Sequence, residues 1–74
     1  MTLKDVLNEY CNRDFPIIEY RGYKTIDGND VDYTIGFCKY IKCGLASIDG
    51  ESYSLNDTVT KYELYRDDWL VVWI

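Results

Sequence analysis

The sequence predicts an α+β domain, with an N-terminal helix packed on a bent antiparallel sheet or small open barrel of five to six short strands. Three observations carry this reading. Apolar residues recur at helical spacing over the first eleven positions, β-branched and aromatic residues broken by turn dipeptides follow Pro16, and six consecutive apolar residues, Trp69 to Ile74, come last. The 74 residues form one domain, 1–74, near the lower size at which a hydrophobic core alone outweighs chain entropy. No linker, repeat or low-complexity segment divides it.

Thr2, with Asp5 three residues on, has the form of a capping box, and Leu3, Val6, Leu7, Tyr10 and Cys11 fall at i, i+3, i+4, i+7 and i+8. This predicts an amphipathic helix over about 3–11. Phe15 precedes Pro16 and is biased out of the helical region, so "NRDFP" ends the helix. "IIEYRGYKT" reads as a strand with Gly22 marking a bulge, "DGND" as a turn, and "VDYTIGF" as the returning strand with Val31, Tyr33, Ile35 and Phe37 on one face. "LASI", Asp49-Gly50 and "ESYSL" make a second predicted hairpin; "TVTKYELY", Asp67-Asp68 and "WLVVWI" make a third. "FCKYIKCG" admits a strand or a short helix capped by Gly44, and the strand is preferred. The unbroken apolar run of "WLVVWI" predicts a central strand covered on both sides. The helix covers one side in this picture, and the curled sheet or a second copy of the chain, in a homodimer, covers Trp69, Val71 and Trp73 on the other.

Several functions are excluded or disfavoured. Charged Lys4, Asp5 and Glu9 stand where the apolar core of a signal peptide would lie, and no stretch reaches bilayer-spanning length, so a cytoplasmic protein without membrane contact is expected. In a reducing compartment Cys11, Cys38 and Cys43 are expected as buried free thiols. The absence of histidine removes the commonest general base and catalytic metal ligand, and with it any Ser-His-Asp or Cys-His site. A C-x4-C pair with one distant cysteine matches no structural zinc pattern. Asp27, Asn29, Asp30 and Asp32 in "DGNDVD" lack EF-hand spacing, and turn chemistry accounts for them. No metal and no cofactor is expected, and a domain this small has little volume for an enzyme pocket. A non-enzyme is the expectation.

The formal net charge is −5, with acid concentrated in the turns and the C-terminal part. Two binding surfaces follow from this. In the first, Asp27, Asp30, Asp32, Glu63, Asp67 and Asp68 present carboxylates to the basic groove of a nucleic-acid-binding protein, competing with phosphates. In the second, "YRGYK" and "KYIK" place Arg21, Tyr23, Lys39 and Tyr40 as a basic, aromatic patch for one small nucleotide. Overall acidity argues against duplex DNA, where phosphate neutralisation dominates affinity.

The opening "MTLKDVL" and the ending "LNDTVTKYELYRDDWLVVWI" resemble a class of short proteins encoded by phages and mobile elements of Gram-positive bacteria. Members share an initial helix, a β-rich middle, and a "V-x-x-Y/I" strand that turns back into an apolar terminal strand. The resemblance covers about a third of the chain and transfers no catalytic residue. It implies a binder that inhibits or diverts host machinery, including nucleic-acid-guided defence. The expected function is therefore a non-enzymatic, acidic inhibitor of a host nucleic-acid-binding protein. A nucleotide-sequestering module and a structural homo-oligomer are the alternatives.

Overall fold

The computed structural model describes residues 1–74 and contains one short helix and a five-stranded mixed sheet. Helix α1 spans Leu3–Glu9. Thr2 and Asp5 form the capping box: the Thr2 N–H donates to Asp5 Oδ2 at 2.9 Å and the Asp5 N–H to Thr2 Oγ1 at 3.3 Å. The helix ends two residues before the expected Cys11. Cys11 and Asn12 adopt left-handed backbone angles (φ 58° and 55°), and the Tyr10 and Asn12 N–H groups both close on the Leu7 carbonyl, which exhausts its acceptor capacity.

The strands are β1 (Phe15–Ile26), β2 (Asn29–Ile41), β3 (Gly44–Ser47), β4 (Lys61–Arg66) and β5 (Trp69–Trp73), in the order β3-β2-β1-β5-β4. The first hairpin forms as expected. Asp27 and Gly28 supply the two positive φ angles, 51° and 79°, that a two-residue turn matching strand twist requires. The third hairpin also forms, around Asp67-Asp68. "FCKYIKCG" is strand up to Ile41; Lys42 and Cys43 then turn the chain at φ 55° and 60°. Asp14 steadies that turn, accepting from the Lys42 N–H at 3.0 Å.

Several expectations about the sheet and the thiols need correction. The sheet is mixed and open, because β5 lies parallel to β1, with Ile17 opposite Trp69 and Arg21 opposite Trp73. One edge of β1 is taken by β2, so the β4–β5 hairpin docks on the other edge, and β5 runs in the direction of β1. The second predicted hairpin is absent: Gly44–Ser47 pairs with β2, while "ESYSL" forms no strand and folds into a loop. As expected, β5 is an interior strand, paired with β1 and β4 and buried on both faces, although β1 holds the middle position. Cys38 alone is a buried thiol, its pKa pushed by burial up to about 12; Cys11 and Cys43 are exposed.

Gly22 does not form the bulge. The extra residue is Ile35, across the hairpin: Tyr20 pairs with Gly36 and Arg21 with Thr34. This offset of one residue sends Ile35 and Phe37 to opposite faces, so Val31, Tyr33, Ile35 and Phe37 do not share one. Gly22 instead leaves room for its neighbours, since a Cβ there would crowd the Tyr33 ring and the Ile35 methyl end.

On one face of the sheet Leu3, Val6 and Leu7 join Phe15, Ile18, Tyr20, Cys38, Tyr40, Val59, Leu70 and Val72 in a single buried cluster. On the other face Val71 and Trp73 are only 4% exposed, although the sheet does not close into a barrel over them. Side chains of the same face cover them. The Arg21 guanidinium lies 5.6 Å and the Lys61 ammonium 4.4 Å from the Trp73 ring, and Tyr65 meets Trp69 edge-on at 4.9 Å. The cationic groups themselves sit over the indole face, attracted by the ring's quadrupole. No helix is long and apolar enough to cross a membrane.

Asp49 fastens the loop after β3. Its carboxylate accepts from the Tyr53 hydroxyl at 2.7 Å, the Phe37 N–H at 2.8 Å, the Glu51 N–H at 3.0 Å and the Ser47 hydroxyl at 3.2 Å. The Tyr53 hydroxyl and the backbone N–H groups of Glu51 and Phe37 hold its pKa down to about 2. The ionised form is the one favoured by folding, so its contribution is fully present above about pH 4 and is lost as pH falls through about 2. Asp49→Asn is therefore expected to lower Tm at pH 6, and the gap from the unsubstituted protein should close between pH 4 and pH 2. A gap that stays constant over this range in thermal melts would exclude the ionised carboxylate as the fastener.

Candidate functional site

Beyond the level of Arg21 the first hairpin has no third strand. Pairing of β1 with β5 stops at Arg21, and pairing of β2 with β3 begins at Cys38. Residues 22–33 thus extend as a two-stranded ribbon, and the molecule measures 42 Å along its longest axis against 25 and 23 Å across. Antiparallel partners share a face, so Lys24 with Val31, Gly22 with Tyr33, and Ile26 with Asn29 lie on one side. Tyr23 with Asp32, and Thr25 with Asp30, lie on the other. Ile26, Val31, Tyr33 and Ile35 are 40–46% exposed and form an apolar stripe on the first side. Lys24 places its ammonium 5.1 Å from the Tyr33 ring.

At its inner end the stripe runs into a pocket of about 330 Å³ lined by Tyr20, Ile35, Tyr53, Ile74, Glu51 and Asp57. Tyr20 and Tyr53 pack with ring centroids 4.6 Å apart. Burial, and then its hydrogen bond to Asp57 at 3.0 Å, raise the Tyr20 pKa far above the ordinary phenol range. Asp57 Oδ2 also accepts from the Ser54 N–H at 2.9 Å. In "SLND" the Ser54 N–H bond to Asp57 is one half of a capping box; the Ser54 hydroxyl instead accepts from the Asn56 N–H at 3.1 Å and the Asp57 N–H donates to the Ser54 carbonyl at 3.0 Å, which orders a loop that leads into no helix.

The opposite face carries a groove of about 350 Å³ around Glu19, Arg21, Phe37, Tyr65, Trp69 and Val71. The Glu19 side chain is only 4% exposed, and its Oε2 accepts from Arg21 Nε at 2.5 Å and from the Thr34 hydroxyl at 2.7 Å. Burial pushes the Glu19 pKa up, but the bonds from Arg21 and Thr34 outweigh it and hold the carboxyl below its ordinary range. The buried Nε1 atoms of Trp69 and Trp73 make no hydrogen bond. Arg21 also pairs with Asp32 at 3.0 Å. Its charge is thus answered twice.

The six carboxylates read from the sequence fall into separate groups. Asp27 is in the ribbon turn; Asp30 accepts from the Thr25 hydroxyl and Asp32 from Arg21, both on the ribbon side away from the apolar stripe. Asp67 and Asp68 turn the chain just before Trp69, which pairs with Ile17. Asp27, in the turn that follows β1, lies ten positions beyond Ile17, about 33 Å away at the usual strand rise. Glu63 stands exposed on edge strand β4 opposite Val71. The six do not form one array. Of the nucleotide set, Arg21, Tyr23 and Lys39 share the grooved face by strand alternation, whereas Tyr40 is buried on the helix side with its hydroxyl 3.4 Å from Asn12 Oδ1. Tyr40 cannot serve as a stacking surface.

Sequence reasoning passed over Tyr20, Ile35, Glu51, Tyr53 and Asp57 as a group, because strands and a loop bring them together from distant positions. The one local signal was the "SLND" capping pattern outside any apolar helix. No cluster of three or more cysteine or carboxylate side chains is arranged to hold a metal ion. Comparison with family models, with curated proteins and with solved structures found no match.

Proposed function

We propose that the protein is a non-enzymatic binding domain that engages a protein partner through the ribbon formed by residues 22–33. The supporting observation is the apolar stripe of Ile26, Val31 and Tyr33, continued by Ile35 at the base, on a two-stranded extension whose residues 22–33 nothing else in the fold covers. A two-stranded ribbon is marginally stable in water by itself, and exposed apolar side chains gathered on one face mark an interaction surface. The net charge of −5 favours a basic partner, for which long-range attraction speeds encounter. A host nucleic-acid-binding protein fits that description. Together with the resemblance to phage and mobile-element proteins, this gives inhibition of such a protein, in the cytoplasm, as the proposed role.

The test is capture from a bacterial lysate with the intact chain, with Val31→Lys/Tyr33→Lys, and with Asp67→Lys/Asp68→Lys. A partner held through the stripe is expected to survive high salt and the Asp67/Asp68 change, and to be lost with the stripe variant, whose melting temperature should stay close to that of the parent. Capture of the same protein by the stripe variant, or loss of it on Asp67/Asp68 reversal, would overturn this reading.

A further inference from the structure

The pocket at the inner end of the ribbon has a chemical character of its own. Glu51 forms no hydrogen bond or ion pair through its side chain, and Asp57 uses only Oδ2, for Tyr20 and Ser54, leaving Oδ1 free. No basic side chain lines the pocket, and both ion pairs of the molecule belong to Arg21 on the other face. Two carboxylates thus face a concave, partly apolar space with no counter-charge, an arrangement that concentrates negative potential. Tyr20, Tyr53, Ile35 and Ile74, with Ser52 and Thr58, supply the remaining wall.

A divalent cation fits poorly, because calcium takes six to eight converging oxygen ligands and no metal-holding cluster exists here. A neutral or anionic ligand would leave the carboxylates unanswered. An organic cation on an apolar stem satisfies both parts of the lining. Between the two biological cations of this kind, the guanidinium is planar, stacks on aromatic rings and offers several donors to carboxylate oxygens, whereas the ammonium is compact and strongly hydrated. Ile35 belongs both to the exposed stripe and to the pocket wall, so a partner lying on the stripe would bring a side chain to the pocket mouth.

We infer that this pocket receives an arginine side chain of the protein partner, its stem against Ile35, Ile74 and Tyr53 and its guanidinium at Glu51 and the free Asp57 oxygen. The source of the arginine rests on the ribbon reading above; the guanidinium chemistry does not.

The experiment is an NMR titration of the intact protein with blocked arginine (N-acetyl-arginine amide), blocked lysine, and the uncharged isostere N-acetyl-citrulline amide. Blocked arginine is expected to shift the resonances of Tyr20, Ile35, Glu51, Tyr53 and Ile74 in a saturable way, with blocked lysine weaker and citrulline without effect. The Glu51 side chain is exposed and makes no hydrogen bond, and its backbone N–H bond to Asp49 does not depend on the carboxylate, so Glu51→Gln should leave the fold intact while weakening arginine binding about fivefold, the worth of one exposed ion pair. Equal response to citrulline or lysine, shifts scattered over other acidic surfaces, binding unchanged in Glu51→Gln, or no shift at all would each overturn the assignment. The stripe variant Val31→Lys/Tyr33→Lys should titrate with blocked arginine as the parent does. Failure of the pocket and failure of the ribbon reading are thereby told apart.

Discussion

A chain shortened by Val71–Ile74 is expected to show no cooperative thermal transition. These residues make up most of β5, which is hydrogen-bonded to β1 on one side and β4 on the other. Without them, β4 loses its only strand partner, the Thr60 N–H loses the Trp73 carbonyl, and the Arg21 carbonyl loses the Ile74 N–H. Val72 leaves the helix-side cluster, and Val71 and Trp73 leave the other face, so both layers open at once. Full burial of each such side chain contributes about 1.5–3 kcal/mol. Their sum reaches the total stability of a domain of this size, about 4–11 kcal/mol. Circular dichroism and a thermal melt of the truncated chain decide the matter. A sharp transition near that of the parent would mean that β5 is an added edge and not part of the cooperative core.

Leu7→Ala is expected to cost about 3 kcal/mol and lower Tm by roughly 12–24 °C. Leu7 is fully buried in the cluster that also holds Phe15, Ile18, Leu70 and Val72. Removing its branched end loses transfer energy and leaves a cavity that a seven-residue helix, tied at its start by the capping box, can close only in part. The neighbouring Asn8 is exposed, and Asn8→Ala should move Tm by no more than a few degrees. Denaturant melts of the two variants give the comparison. Similar small losses for both would show that the helix adds little to the core.

Features set by near neighbours were legible in the sequence. The capping box, the Asp27-Gly28 turn and the hairpin around Asp67-Asp68 each depend on a few adjacent residues, and each appears where expected. The end of the helix was misjudged because the apolar spacing continues through Tyr10 and Cys11, while the left-handed backbone at Cys11 carries no mark in the side chain. The bulge at Ile35 was misplaced to Gly22 for a related reason: both belong to one crowded spot across the hairpin, and only the pairing shows which strand carries the extra residue. Glu19 reads as a surface charge in an alternating strand, yet the Arg21 and Thr34 side chains make its burial tolerable.

The candidate surfaces divide in the same way. The acidic turns were visible as composition, but their placement on a contact surface depends on the direction of β5 relative to β1, which separates Asp27 from Asp67 and Asp68 by most of the length of the molecule. The pocket required Tyr20 from β1, Ile35 from β2, Glu51 and Tyr53 from a segment expected to be a strand, and Asp57 from just beyond it. No local pattern joins those positions.

By itself the sequence determined the α+β class, the helix start, two of the hairpins and the lack of histidine chemistry, because these follow from periodicity, turn residues and composition. Only the tertiary structure decided the parallel pairing of β1 with β5, the two-stranded ribbon and the pocket beside it. Those depend on which strand edge remains free and on contacts between residues far apart in the chain, where the gain from packing competes with loop entropy and not with any local preference.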